Sequence, residues 1–476
     1  MRRPRSAAMV CAFAAMLLAL VLPNTPRAQD VASSEQSSSV AVAAPWGTQS
    51  VDLAKLYDAV VETIERRFVD DALLRRLKWR ARADALRPSV LTAATPESAF
   101  RQINGLLSEL QTSHTALFTP DDYEYYILPD ILGADPNLAE LLAKRFWGSG
   151  PYYPGIGVFT REIDGRHFVD GVLEGSPAER AGLKYGDEIL TVDGTPYSPI
   201  AAFLGKIGAT AALKTRREAS AEPQRLEVPV VPIRPTAAFA AATAASARII
   251  ERDGSRIGYV HVWASHESAS FKGALAKFEQ RGVIQDRLRA WGIPLLPNTV
   301  NGAVEEAPKP LDFLIVDMRG RVGGLVAVAA EYLELLDSRE KSYWGNSLTI
   351  TRAKPRLQIG AGASPPNPPL RGRTTLLIDH HTRSAAEFMA YGFKRSAFGP
   401  LVGTTTAGAA TSGALFVMPG DLLLYVAVAG HELNGQPIEG VGVSPDHRVE
   451  RPLRYAAGAD PVLDAAVDLL AKRAAK

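Results

Sequence analysis

The chain has 476 residues, 46% of them hydrophobic and 22% charged, enough for real cores and, at roughly 150 residues per domain, for about three domains. Lys plus Arg number 53 against 51 Asp plus Glu, and this near balance argues against an electrostatic nucleic-acid binder. A single cysteine excludes a disulfide framework and a cysteine-rich zinc site. The N-terminus carries Arg2, Arg3 and Arg5, an apolar run from Ala7 to Leu22, and then Pro23-Asn24-Thr25-Pro26-Arg27-Ala28. This is the layout of a secretory signal peptide over residues 1–28, and it places the mature protein in the periplasm or outside the cell. The alternative is an uncleaved anchor, for which the apolar run falls short of the ~20 residues that span a bilayer. Cleavage leaves no membrane span. It removes four arginines and Cys11, so the apparent basic excess becomes a slight acidic one.

Residues 29–50 are rich in Ser, Ala and Val without period and read as a flexible tether. From Ser50, taken as an N-cap, apolar residues at Val51, Leu53, Leu56, Val60, Val61, Ile64 and Phe68 mark one helix face. Further helical patterns over 73–86 and 96–110 make residues 51–150 a helical region, which carries Thr112-Ser113-His114-Thr115. Gly, Pro, Tyr and Trp crowd together over 148–155 and suit a boundary. Strand patterns follow over 156–160, 167–173 and 188–192. Between the last two, Ser176 caps a short helix that begins at Pro177 and stops at Gly182.

An Ala- and Thr-rich stretch then reads as a loop, 257–262 as a strand, and 285–310 as an insertion. The apolar run Leu311 to Met318 predicts a buried strand, followed by a turn through Gly323 and Gly324 and a helix over 325–336. A second such unit has a strand at Thr374 to Ile378, a turn at His380-His381-Thr382-Arg383, and a helix opened by Ser384-Ala385-Ala386-Glu387. Strand, turn and helix in repetition outline an α/β core over 245–476, closed by a helix over 461–476. His380 and His381 read as turn residues, because no carboxylate or histidine recurs around them at ligand spacing. Ser384 has two readings. A serine at a strand-to-helix turn can present its hydroxyl as a nucleophile at the sheet rim, while Ser384 with Glu387 also spells a capping box.

Two resemblances sharpen this outline. Pro154-Gly155-Ile156-Gly157-Val158, Val169-Asp170-Gly171-Val172, Gly175-Ser176-Pro177-Ala178 and Gly186-Asp187-Glu188-Ile189-Leu190 resemble a PDZ domain, over 153–236. The resemblance implies peptide binding along the loop and strand edge at Gly155, Ile156, Gly157 and Val158. Asp317 to Gly324, Ser384 to Glu387, Leu401 to Gly408 and Ile438 to Asp446 resemble the ordered motifs of the C-terminal processing (tail-specific) serine protease family. That family implies a ClpP/crotonase-like α/β catalytic core, here with the helical N-terminal region and an inserted β-rich PDZ domain.

Family members of one type use a lysine base 25 residues after the serine. That position here is Ala409, and no lysine lies between Lys394 and Lys472. The other type resembles tricorn core proteases, whose Ser-His-Thr motif is matched by Ser113-His114-Thr115. The resemblance therefore implies Ser384 as nucleophile, His114 as base, Ser113 and Glu439 as its supports, and Gly323, Gly324 and Ala385 as the oxyanion donors. No metal or cofactor is implied. The expected partners are protein or peptide substrates, the oligomeric state stays open, and a peptide- or lipid-binding protein on the same scaffold is the alternative to an enzyme.

Overall fold

The computed structural model describes residues 51–133, 138–146, 150–279, 299–300, 303–304, 311–320, 323–336, 344–352, 355–359 and 370–474. The expected signal peptide, the tether, Ser50 and most of the 285–310 insertion lie outside the described residues.

The first helix, Leu53–Arg67, is capped by Asp52 rather than Ser50: an Asp52 carboxylate oxygen accepts the Lys55 N–H at 3.0 Å. The helix expected over 73–86 is two, Asp71–Leu77 and Trp79–Leu91, because Lys78 between them adopts φ +53°. Pro96–Ser108 starts where Thr95 accepts the Ser98 N–H. The buried faces of these helices, including Leu56, Val60, Ile64, Ile103 and Leu107, pack on Leu422, Leu424 and Val426.

Those three leucine and valine side chains belong to a twelve-residue strand, Leu422–Leu433, that the sequence reading passed over. It is the spine of a six-stranded sheet, pairing antiparallel with Ala116–Phe118, Asn346–Thr351, Ser412–Met418 and Gln436–Pro437. The register sets Ala116 opposite Tyr425.

A second six-stranded sheet is the expected α/β core, in the order Arg248–Arg252, Ser255–His261, Phe313–Asp317, Thr374–Ile378, Leu401–Gly403 and His447–Arg448, parallel except for its first pair. Its inner strands Phe313–Asp317 and Thr374–Ile378 are buried along their whole length because both faces are covered, whereas the outer strands Arg248–Arg252 and His447–Arg448 are polar and largely exposed. Leu314, Val316, Leu376 and Ile378 meet the helices Ala269–Glu279, Val326–Leu336 and Ala385–Arg395 on one face. Phe313, Ile315 and Leu377 meet Pro461–Ala474 on the other.

Between the helical region and this core sits an antiparallel sheet of Val158–Ile163, Arg166–Val172, Glu188–Val192, Thr210–Arg216 and Gln224–Pro229, with Thr195–Pro196 alongside. The short helix Pro177–Arg180 has Ser176 as its N-cap, as expected from sequence. The Ala- and Thr-rich stretch expected as a loop is instead the helix Pro235–Ser246, with Pro235 at its first position. Alanine's high helix propensity and the preset φ of Pro235 account for it.

Candidate active site

Ser384 ends the turn after the core strand Thr374–Ile378 and precedes the helix Ala385–Arg395. Its backbone stands at φ +54° and ψ −125°, a region that costs a non-glycine residue about 1–3 kcal/mol and persists only where surroundings hold it. They do. The Ser384 N–H donates to Ala409 O at 2.8 Å and to Glu387 Oε2 at 3.3 Å. Glu387 is fully buried and does more than cap, for its carboxylate also accepts from Thr406 Oγ1 (2.6 Å), Gly408 N (2.7 Å) and Ala409 N (2.6 Å). Burial pushes the Glu387 carboxyl up, against the pull of those donors. The capping reading holds at this turn, and Glu387 also fixes the backbone that carries Ser384. Glu387 was legible as a cap, but its hold on the 406–409 segment had no sequence signal.

Gly323 lies against this turn. A Cβ there would stand 2.4 Å from the Ser384 Cβ and 3.0 Å from its Oγ, so only glycine admits the approach. Gly324 has φ +129°, and its Cβ would meet Ser265 O at 2.3 Å. Ser265 ties the turn down from both sides, donating its N–H to Gly323 O and accepting from Leu325 N. Ala385 is the first residue of the helix and is buried.

His114 reaches the same place from the helical region, because the short strand Ala116–Phe118 pairs with Leu423–Tyr425. Its ring is 5.2 Å from that of Tyr425, which stands over Gly413 where any Cβ would clash. Ser113 Oγ lies 2.6 Å from His114 Nδ1 and donates to Glu439 Oε2 at 3.1 Å. That donation uses the only hydroxyl proton, so the 2.6 Å contact requires Nδ1–H as donor and leaves Nε2 with its lone pair. Glu439 is held in turn by the N–H groups of Ser113 (2.8 Å), Ala410 (2.7 Å) and Thr411 (2.9 Å). Burial, assisted by Arg383 and His431, presses the His114 imidazole down to about 3.

One cavity of about 250 Å³ is lined by Ser113, His114, Gly323, Gly324, Arg383 and Ser384, with an apolar wall from the helix Glu124–Leu132. Among the described residues no hydrogen bond joins Ser384 directly to His114, but both line this space. The catalytic and oxyanion residues expected from sequence therefore come together from four separate segments of chain, 113–114, 323–324, 384–385 and 439. His380 and His381 are not part of that lining. His380 Nε2 accepts from Arg161 Nη1 at 2.8 Å, and His381 Nε2 lies 2.7 Å from Asp170 Oδ2, both partners on the antiparallel sheet. Ala409, at the lysine position of the other catalytic type, is buried and donates its N–H to Glu387.

The expected peptide loop does not face solvent. Gly155, Ile156, Gly157 and Val158 are all buried. Ile156 O accepts from Ala178 N, Gly157 O accepts from Leu173 N, and Val158 O accepts from the Tyr123 hydroxyl at 3.2 Å.

The profile of Peptidase family S41 matches residues 297–449, which include the Gly323–Gly324 turn, Ser384 and Glu439, and that of the PDZ domain matches residues 168–208. The chain is a serine peptidase of family S41. This S41 peptidase is 24% identical over 421 residues to a carboxyl-terminal-processing protease of Picosynechococcus sp., with 86% of each chain covered. It is 25% identical over 435 residues to tricorn protease homolog 2 of Streptomyces coelicolor, covering 87% of this chain and 32% of that one. Among solved structures, a photosystem II D1 C-terminal processing protease matches with a TM-score of 0.46 at 19% identity, over 87% of this chain and 99% of that one. No helix of the described residues in this S41 peptidase is long and apolar enough to cross a membrane.

Proposed function

We propose that this S41 peptidase is an exported endopeptidase that cleaves proteins or peptides with Ser384 as nucleophile and His114, not a lysine, as base. The observation that carries the reading is the chain Glu439–Ser113–His114, because it leaves Nε2 of a buried neutral imidazole as proton acceptor on the wall of the Ser384 cavity. In the reaction Ser384 Oγ forms a bond to the scissile carbonyl carbon as its proton passes to His114 Nε2. The tetrahedral oxyanion takes N–H donors from the Gly323–Gly324 turn and from Ala385 at the helix N-terminus. Collapse expels the amine, which takes the proton from His114. Water, deprotonated by the same imidazole, then frees the acyl group and restores the hydroxyl. Ser113 and Glu439 position the ring and stabilise its charged form. The PDZ domain brings polypeptide substrates, and the leader over residues 1–28 exports the chain.

The test is labelling by a fluorophosphonate probe together with turnover of a casein-type substrate. Wild-type protein is expected to label at Ser384, and Ser384→Ala to lose labelling and turnover altogether. His114→Ala should lose at least roughly a thousandfold in kcat with thermal stability little changed. Full turnover by Ser384→Ala would overturn the assignment, and full turnover by His114→Ala would remove the histidine from it.

A further inference from the structure

Several arginines that leave bulk water in this structure are paired with carboxylates. Arg319 meets Asp317 and Asp460, Arg217 meets Asp187, and Arg166 and Arg216 meet Glu188. Among the described residues Arg383 has no such partner, and its position sets it apart. It is partly buried, it directly precedes the nucleophile, and it lines the catalytic cavity. Among the described residues no carboxylate stands within ion-pair distance of it, and its one hydrogen bond, from Nη2 to Ser113 O, is long at 3.4 Å. Five donors in a planar fork are thus left almost unused beside the reacting serine.

The surroundings sharpen the case. Phe118, Ile127, Leu128, Ile131 and Leu132 give the same cavity an apolar lining, and a charge in such a lining acts more strongly than it would in water. Among the described residues the one acid in the lining is Glu124, in the first turn of the wall helix. It contributes negative charge to the cavity without reaching Arg383.

We propose that Arg383 determines substrate preference, its guanidinium receiving a carboxylate that the substrate carries next to the scissile bond. A carboxylate matches the fork with two parallel hydrogen bonds, which places the peptide as well as attracting it. Its source is an acidic side chain or the free end of a short peptide, the same chemistry in either case. Docking has a second effect, since Arg383 is among the groups that weaken His114 as a base. Burial is the larger cause and is not relieved by docking, but a bound carboxylate offsets the share that Arg383 adds, so the fitting substrate strengthens the base that acts on it.

The inference rests on the Ser384–His114 reading, and the experiment keeps the two apart. Quenched-fluorescent peptides identical except for Glu, Gln or Lys on either side of the cleaved bond are each made as free acid and as amide, and kcat and KM are measured at one salt concentration. Wild-type enzyme should favour a Glu peptide, or a free-acid peptide over its amide, by roughly tenfold or more in kcat/KM over the Gln or amide partner. Which comparison shows the effect identifies the source of the carboxylate. Arg383→Gln should bring that ratio close to one, Arg383→Lys should keep part of it, and Arg383→Glu should turn the preference toward Lys. Removing the competing charge by Glu124→Gln should enlarge the wild-type ratio. Equal losses on all peptides in Arg383→Gln would overturn the proposal and reduce the residue to a prop for Ser113. So would a wild-type enzyme indifferent to charge. Absence of fluorophosphonate labelling and of all turnover in wild-type protein would instead strike the enzymatic reading itself.

Discussion

At the scale of the residue, the buried imidazole of His114 makes a pH-dependent contribution whose sign follows from its environment. Burial, with Arg383 and His431 nearby, holds it at about 3, whereas in the unfolded chain it titrates near ~6.5. Below the unfolded value the unfolded chain takes up a proton that the folded one refuses, so stability is lost as pH falls from ~6.5 toward 3, at about 1.4 kcal/mol per pH unit. Above that window the residue contributes no pH dependence. His114→Gln should therefore be relatively better off in acid: its stability deficit against wild type, from denaturant midpoints, should shrink by about 2 kcal/mol between pH 7 and pH 5. A deficit that does not change with pH would mean that the ring is hydrated. The sequence made His114, Ser113 and Glu439 legible only through motifs, because nothing local to any of them encodes a contact across 326 residues, the separation of Ser113 from Glu439. Arg383 went unread for the same reason. An arginine beside a serine in a turn looks like ordinary solvent-facing charge until the partners it lacks can be seen.

At the scale of the element, the motif Asp317-Met318-Arg319-Gly320 serves the architecture around the site. Arg319 is buried between Asp317 and Asp460, donating to both at 2.6–2.9 Å, while the Tyr259 hydroxyl donates to Asp317. Burial alone would raise the Asp317 carboxyl, but Arg319 outweighs it and holds that carboxyl well below the usual range. Asp460 also accepts the Leu463 N–H and so caps the C-terminal helix Pro461–Ala474. One guanidinium thus pins the start of the glycine turn to the helix on the far face of the core sheet. Arg319→Met should cost about 3–5 kcal/mol, because it strands two carboxylates in a buried site. Chemical denaturation measures the loss, and amides in the first turn of Pro461–Ala474 should exchange faster with it. A cost below 1 kcal/mol would show that the carboxylates are reached by water.

Legibility among elements divides along similar physical lines. The strands Thr374–Ile378 and Phe313–Asp317 announced themselves because a strand covered on both faces is uniformly apolar and bounded by turns. Pro235–Ser246 hid because alanine on every face carries no period, although alanine and an N-terminal proline both favour helix. Lys78 broke a helix that the apolar spacing carried straight through, its positive φ having no side-chain signature. Leu422–Leu433 was overlooked although its apolar run is long, and with it went the reason that Ser113-His114 reaches Ser384 at all: the pairing of Ala116 with Tyr425.

At the scale of the whole molecule, the PDZ-type sheet is tied through Tyr123 to the helix that walls the Ser384 cavity. Val158–Ile163 is an edge strand, the place where an extended peptide would add itself. The start of that edge is already engaged by Tyr123, whose hydroxyl donates to Val158 O at 3.2 Å and whose ring packs edge-on against Phe159 and Tyr153. Tyr123 is also the N-cap residue of Glu124–Leu132, the helix that supplies the apolar wall of the Ser384 cavity. A peptide added along Val158 would compete with Tyr123, and displacing Tyr123 would reach that wall within one helical turn. The hydrogen bond competes with the peptide and is worth about 1 kcal/mol, which is roughly a fivefold change in affinity. Tyr123→Phe, combined with Ser384→Ala to prevent turnover, should therefore bind a fluorescent C-terminal peptide roughly fivefold more tightly by anisotropy, the ring packing being retained. In the otherwise wild-type enzyme the same change should alter KM for cleaved peptides, since the wall that Tyr123 anchors is part of their site. Identical affinities for the two proteins would mean that peptides bind elsewhere on the sheet and that the buried segment Gly155 to Val158 is purely structural.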